Sequence, residues 1–330
     1  MLINNINEFK QHLPVSLQLE FGDILPKIKM VERDIIQKQF GVGIYRRITD
    51  TAFAPDTKEH KLFELLSEAT AHLSLLEYIS FGQVVLDSSG IHITSTENVK
   101  TAFQWQVADL KESCSISGWS AIESALELME ILPDGELKTL WEATDTFKAS
   151  QISLISTLKQ FQRFVNLGNS RVLFHKLLPT LEYFQEEVVE ESIGPDFWQK
   201  ILTYESEEDS SQKARLKKAH RLASRALAYG TIGEGFTDTM LVLSDNGPLI
   251  LDKIQSSSSS VKATASQETV QLIAKTYAVK AQGALRELLE YCQSNAQYFP
   301  EYKLSTNYIS DETTEDHIPR NDPDAGLAFF

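Results

Sequence analysis

Ile24-Leu25-Pro26 opens a stretch that runs on through Phe40-Gly41, Ile44-Tyr45 and Arg47-Ile48. The same series returns as Leu177-Leu178-Pro179, Ile193-Gly194, Phe197-Trp198 and Lys200-Ile201, at a constant offset of 153 positions. Each series reads as an amphipathic helix of about 15 residues, a glycine break and a short aromatic-led helix. Leu25, Ile28, Val31, Ile35 and Ile36 fall on one stripe of the first copy, and Leu178, Leu181, Phe184, Val188 and Val189 on one stripe of the second.

The similarity continues downstream with small shifts. Tyr78 and Gly82 correspond to Tyr229 and Gly233, each ending a second helix rich in Ala and Leu. Val84-Val85-Leu86-Asp87-Ser88-Ser89-Gly90-Ile91 resembles Leu241-Val242-Leu243-Ser244-Asp245-Asn246-Gly247-Pro248, an apolar run meeting a turn that ends in glycine. Glu127-Leu128-Met129-Glu130 corresponds to Glu287-Leu288-Leu289-Glu290. Any two amphipathic helices can share one such match, but a series in the same order indicates tandem duplication. The expected fold is mainly α with small β-hairpins: a duplicated helical-bundle module followed by an extended C-terminal tail.

The expected organisation is a short N-terminal arm over residues 1–20, copy one over 21–144 with a hairpin near 84–94, and a linker helix over 145–170. Copy two covers 171–300 with a hairpin near 240–254, and an acidic tail covers 301–330. Asp87-Ser88-Ser89-Gly90 and Asp245-Asn246-Gly247 are the turn signals, since glycine takes positive φ at no steric cost. After each hairpin the chain returns to helix, opened by Ser95-Thr96-Glu97-Asn98 and by Ser266-Gln267-Glu268-Thr269. In copy one Ser117-Gly118 is expected to interrupt that helix. Copy two reads as continuous and carries a Ser256–Ser260 run, the composition of a flexible loop. The cluster Gly230-Thr231-Ile232-Gly233-Glu234-Gly235 lacks the Gly-Lys-Ser/Thr of a phosphate loop and reads as a helix stop.

The 330 residues carry 42% hydrophobic side chains, enough for real cores, and a net charge of −15. That charge argues against non-specific nucleic-acid binding, which needs clustered Lys and Arg. It is compatible with an acidic channel that DNA passes without sticking. Cys114 and Cys292 fall inside helical patterns and read as buried thiols in a reducing compartment. No signal peptide and no membrane-crossing run is read.

Catalytic signatures are not found. His12, His60, His72, His92, His175, His220 and His317 show no paired metal-ligand spacing, so no metal and no cofactor is expected. Glu186, Glu187, Glu190 and Glu191 read as a solvated helix face. A site assembled from Glu187, His220 and Glu234 is the weakest alternative, and a non-enzymatic role is preferred. Two features suggest contacts with other chains. One is the basic run Lys213, Arg215, Lys217, Lys218, Arg221 and Arg225. The other is the acidic tail with Asp311 and Asp316, ending in Leu327-Ala328-Phe329-Phe330. The run reads first as a solvated helix face, and as the second reading a charge-complementary dock for an acidic tail, Asp311 to Asp324 of a neighbour.

Phe81-Gly82-Gln83-Val84, Asp87-Ser88-Ser89-Gly90-Ile91-His92, Thr94-Ser95-Thr96-Glu97-Asn98, Trp105-Gln106, Gly118-Trp119 and Leu126-Glu127 together resemble an uncharacterised family encoded by phages and prophages of Bacteroidota. Its members look like structural proteins of the head–tail junction. The resemblance implies a virion protein of the neck, a head–tail connector or adaptor assembled in the bacterial cytoplasm. It would form a homo-oligomeric ring of twelve or six chains between portal and tail proteins, with DNA passing through the channel and no membrane contact. A tail-completion or contractile-injection component is the alternative.

Overall fold

The computed structural model describes residues 1–13, 19–82, 84–87, 90–93, 102–238, 241–244, 247–250 and 267–310. The chain divides into two compact units: Met1–Pro179 with Gly235–Ala274, and Thr180–Glu234 with Lys275–Phe330. It is mainly helical.

In the first unit, α1 (Ile6–Gln11) is capped by the Asn5 side chain, which accepts from the backbone of Asn7 and Glu8. Next come α2 (Phe21–Val31), a π turn (Glu32–Ile36) and α3 (Gln37–Phe40), which form one continuous rod. Pro26, expected at a helix start, is the sixth residue of α2 and lies inside it, where it removes one intrahelical backbone hydrogen bond. Buried side chains recur every fourth residue along this rod: Ile24, Ile28, Glu32, Ile36 and Phe40. Gly41 then turns the chain at φ 88°, ψ 149°, a conformation only glycine adopts without strain, into α4 (Val42–Asp50). The core forms where this rod packs on α5 (Lys58–Gly82), which in turn lies against α6 (Gln104–Glu130). Backbone pairing joins Val84–Asp87 antiparallel to Gly90–Ile93.

Residues 1–13 are not a free arm. Leu2, Ile3, Phe9 and Leu13 are buried in the core, and the Leu2 amide donates to buried Glu32 at 2.6 Å. Nor does Ser117-Gly118 interrupt α6, which is continuous. Gly118 is there for packing, since a Cβ on it would stand 2.6 Å from Leu73 of α5. The expected linker helix is instead two short helices, α8 (Asp145–Ile152) and α9 (Leu158–Phe161), following α7 (Glu136–Glu142). Thr157 caps α9 in a reciprocal box with Gln160, and that favourable start replaces a continuous helix. The next helix, α10 (Arg171–Phe184), starts in the first unit and ends in the second. Glu123 of α6 caps it, accepting from the amides of Arg171 at 2.6 Å and Val172 at 3.1 Å and from the Ser170 hydroxyl at 2.8 Å.

α10 runs into a second π turn (Gln185–Glu190) and then α11 (Glu191–Ile193). Leu177, Leu181, Gln185, Val189 and Ile193 are buried at the same four-residue spacing. Gly194 turns the chain at φ 85°, ψ 144° into α12 (Pro195–Leu202), with Pro at the first helical position. Two long helices follow, α13 (Ser210–Asp238) and α14 (Gln267–Ser294), with Leu241–Ser244 paired antiparallel to Gly247–Ile250 between them. The glycine cluster is no helix stop: Gly230, Gly233 and Gly235 lie within α13. A Cβ on Gly230 would come within 2.2 Å of the Phe184 ring, so the glycine is needed for helix packing. The Ser256–Ser260 run, the helix opening at Ser95–Asn98 and residues 311–330 lie outside the described residues.

Candidate interaction surface

Long antiparallel helices expose apolar surface where they outrun the core. α5 is buried at intervals from Leu62 to Ile79. Opposite it, the buried positions of α6 begin only at Cys114 and continue through Gly118, Ala121, Ile122, Ala125, Leu126 and Met129. The first ten residues of α6 include no buried one. This free end nevertheless carries large apolar groups: Phe81 is 60% exposed, Phe103 69% and Trp105 61%, with Leu110 and Ile116 also exposed. By helical spacing, Phe103 and Leu110 share one side of α6, while Trp105 and Ile116 share another. Monomer surfaces rarely gather such groups without a partner. Lys27 holds its ammonium 4.0 Å above the Phe81 ring, and Lys111 donates to Ser80 Oγ at 2.9 Å.

α14 repeats the pattern. Residues 271–280 include no buried one, and the next residue, Ala281, is buried. Leu272 is 65% exposed and Val279 60%. On the same helix Lys280 lies 4.7 Å over the Tyr277 ring, which tilts against Tyr229 at 6.1 Å.

The basic run on α13 is largely engaged within its own unit. Arg215 lies 3.7 Å over the Tyr298 ring, Lys218 lies 4.4 Å over Tyr291, and Arg225 pairs with Glu287. Lys213 donates to the Glu205 carbonyl. Lys217 is exposed beside a shallow depression lined also by Tyr204, Ser210 and Ala214. These cations therefore hold aromatic and acidic groups of α14 and the turn after it, rather than forming a bare basic dock. Asp311, Asp316, Leu327, Phe329 and Phe330 lie outside the described residues.

Glu187 and Glu234 are exposed, and His220 is half-buried with its ring 4.9 Å from that of Tyr204. Glu190 has its carboxyl pushed up by burial and then by Glu186. Burial pushes the Cys114 thiol up and the Cys292 thiol up to about 12, so both are poor nucleophiles. Burial lowers His12 and His72, against the opposing pull of Glu68 on each. Among the described residues, no group of three or more His, Cys, Asp or Glu side chains could hold a metal ion, and no helix is long and apolar enough to cross a membrane.

The exposed aromatics at the α5–α6 end were not singled out as a surface from sequence. Their signal is present: Phe103 and Trp105 flank Gln104 and precede Gln106, large rings in a polar helix start that no core stripe claims.

A family model, described as Family of unknown function (DUF6712), matches residues 35–134 and 176–312. No curated protein and no solved structure matches the chain. The matched stretches span more than half of the sequence, and the chain belongs to this family.

Proposed function

With that membership and the repeated geometry as premises, we propose that the chain is a non-enzymatic structural subunit. It acts in the phage neck as a head–tail connector or adaptor, in a ring of twelve or six copies between portal and tail. Its body is a tandem duplication of one helical module with a small hairpin. The family model falling on two stretches supports the duplication, as do the recurrent buried stripes, the two π turns and the turns at Gly41 and Gly194. The observation that carries the assembly role is the apolar free end of α5 and α6, with Phe81, Phe103 and Trp105 each mostly exposed. A ring forms when one surface meets a different surface of the next copy and the rotation closes. A helix end with large apolar groups on two sides offers such surfaces. The charge of −15 suits a channel that DNA traverses without being held.

Electron microscopy of the purified full chain and of phage particles tests the reading. Closed rings of one copy number are expected, located at the junction of head and tail. A strict monomer at all concentrations, together with its absence from particles, overturns it.

A further inference from the structure

We propose that the acidic tail of one copy docks on the α5–α6 end of a second copy. This inference rests on the assembly reading above and names the contact that joins neighbours. The receptor is the apolar end formed by Phe81, Phe103, Trp105 and Leu110, bordered by Lys27 and Lys111. Lys27 and Lys111 meet a neutral ring and a neutral hydroxyl there, so their charges suit an acidic ligand. Residues 311–330 supply that chemistry in sequence: Asp311, Glu312, Glu315, Asp316, Asp322 and Asp324 precede Leu327-Ala328-Phe329-Phe330. Acid groups followed by an apolar segment match cations bordering exposed rings. The basic run on α13 is the poorer receptor, because Arg215, Lys218 and Arg225 are already held over Tyr298 and Tyr291 and against Glu287.

Reach permits the contact. Twenty residues extend up to about 70 Å, whereas α6, with 27 residues, is about 40 Å long at 1.5 Å per residue. A tail of that reach can leave its own chain and meet the helix end of the next.

The test uses three full-length proteins: the unchanged chain, Phe329→Ser/Phe330→Ser, and Phe81→Ser/Lys27→Glu/Lys111→Glu. Far-ultraviolet circular dichroism checks that each variant keeps the fold. Should the second variant fail to fold, Lys27→Glu/Lys111→Glu alone is paired with Asp322→Lys/Asp324→Lys, whose reversed charges restore binding. Association is read by native mass spectrometry across a concentration series. The unchanged chain is expected to assemble, and each variant alone to associate at least about tenfold more weakly. An equimolar mixture of the two variants should yield a one-to-one heterodimer, because one intact tail then meets one intact receptor. Assembly of both variants as tightly as the unchanged chain overturns the proposal. So does a mixture without heterodimer, the outcome when the tail folds back on its own chain or the helix ends pair with each other. Rings persisting in both variants would remove the tail contact but leave the neck reading standing. An unchanged chain that never assembles and is missing from particles would remove the neck reading itself.

Discussion

His175 lies in the first unit, where its Nδ1 is 2.7 Å from the Gln39 side-chain amide and its ring is 6.3 Å from that of Trp141. Burial, with Arg171 second, lowers its pKa to about 4. The Gln39 amide can turn to present its oxygen, so loss of that hydrogen bond is not the main cost of protonation. The cost is a charge placed in a half-buried site with reduced hydration and near a guanidinium. In the unfolded chain the group titrates near 6.5. A lowered folded pKa means the folded state favours neutral imidazole. Its contribution to stability is therefore complete above about pH 6.5 and is lost as pH falls towards 4.

The gap of about 2.5 units corresponds to roughly 3.4 kcal/mol at the acid limit, and to about 2 kcal/mol between pH 7 and pH 5. His175→Gln removes the titration while keeping a neutral polar group opposite Gln39. The variant loses ring packing against Trp141 and Phe174, so its baseline stability drops. The informative quantity is the pH slope. Urea unfolding followed by tryptophan fluorescence from pH 7.5 to 4.5 should give a wild-type slope steeper by up to about 1.4 kcal/mol per pH unit. Subtracting the variant cancels contributions from His12, His72 and the carboxylates. An NMR titration of the His175 ring should show its midpoint near 4. Parallel slopes with a ring midpoint near 6.5 would refute the reasoning.

Gly230→Ala should destabilise by about 1–3 kcal/mol in urea titrations despite the better helix propensity of alanine, because its Cβ meets the Phe184 ring, and adding Phe184→Leu should restore much of the loss. Gly283→Ala has nothing within 4 Å of its new Cβ and should stabilise by about 0.5–1 kcal/mol in the same titration. Glu123→Ala uncaps α10 and leaves two amides and a hydroxyl without their acceptor, at a cost of about 1–3 kcal/mol by denaturant unfolding, with Glu123→Gln retaining part. Cys292 in the native protein should react with an aromatic disulfide reagent at least about a hundredfold more slowly than in urea, since it is buried and its thiolate is suppressed.

Helices were legible where local periodicity dominates, as in α5, α13 and α14. Misreadings cluster at glycine. Gly118 and Gly230 read as breaks because glycine is a poor helix former, yet both sit inside long helices where Leu73 and Phe184 come too close for a Cβ. Nothing local distinguishes a glycine that ends a helix from one that admits a neighbour. The aligned positions show the compensation. Val31 and Ile79 are both buried, where the positions aligned with them in the sequence are the large Phe184 and the small Gly230. The interaction surface was hidden for the opposite reason. Phe103 and Trp105 look like core residues by type, and their exposure follows from α6 outrunning the core, a matter of relative helix length that no single segment encodes.

The π turns carry the strongest link from sequence to fold, and they were readable after all. Buried positions recur at strict four-residue steps, Ile24 to Phe40 in one stretch and Leu177 to Ile193 in the other. Four such steps drift about 160° around a regular α-helix at 3.6 residues per turn. A straight helix would carry Phe40 and Ile193 to the face opposite Ile24 and Leu177. One extra residue taken up in a π turn absorbs about 100° of that drift and returns the stripe to the core. The middle step of each stripe, Glu32 and Gln185, falls at the start of the π turn and is polar. In copy one the Glu32 carboxylate accepts from the Leu2 amide and, at 2.8 Å, from the Tyr45 hydroxyl, whose acidity burial and then Glu32 suppress. Deleting Arg33, which is exposed within the turn, should therefore act as a nearly neutral trim. It converts the π turn to regular helix and leaves Ile36 and Phe40 on the core face, because one residue fewer in a regular helix turns through the same angle as the stretch with its π turn, whereas an alanine inserted beside Arg33 adds about 100° and carries them off it. A deletion variant far less stable in urea than Arg33→Ala would show that the spacing of the stripe does not dictate the turn.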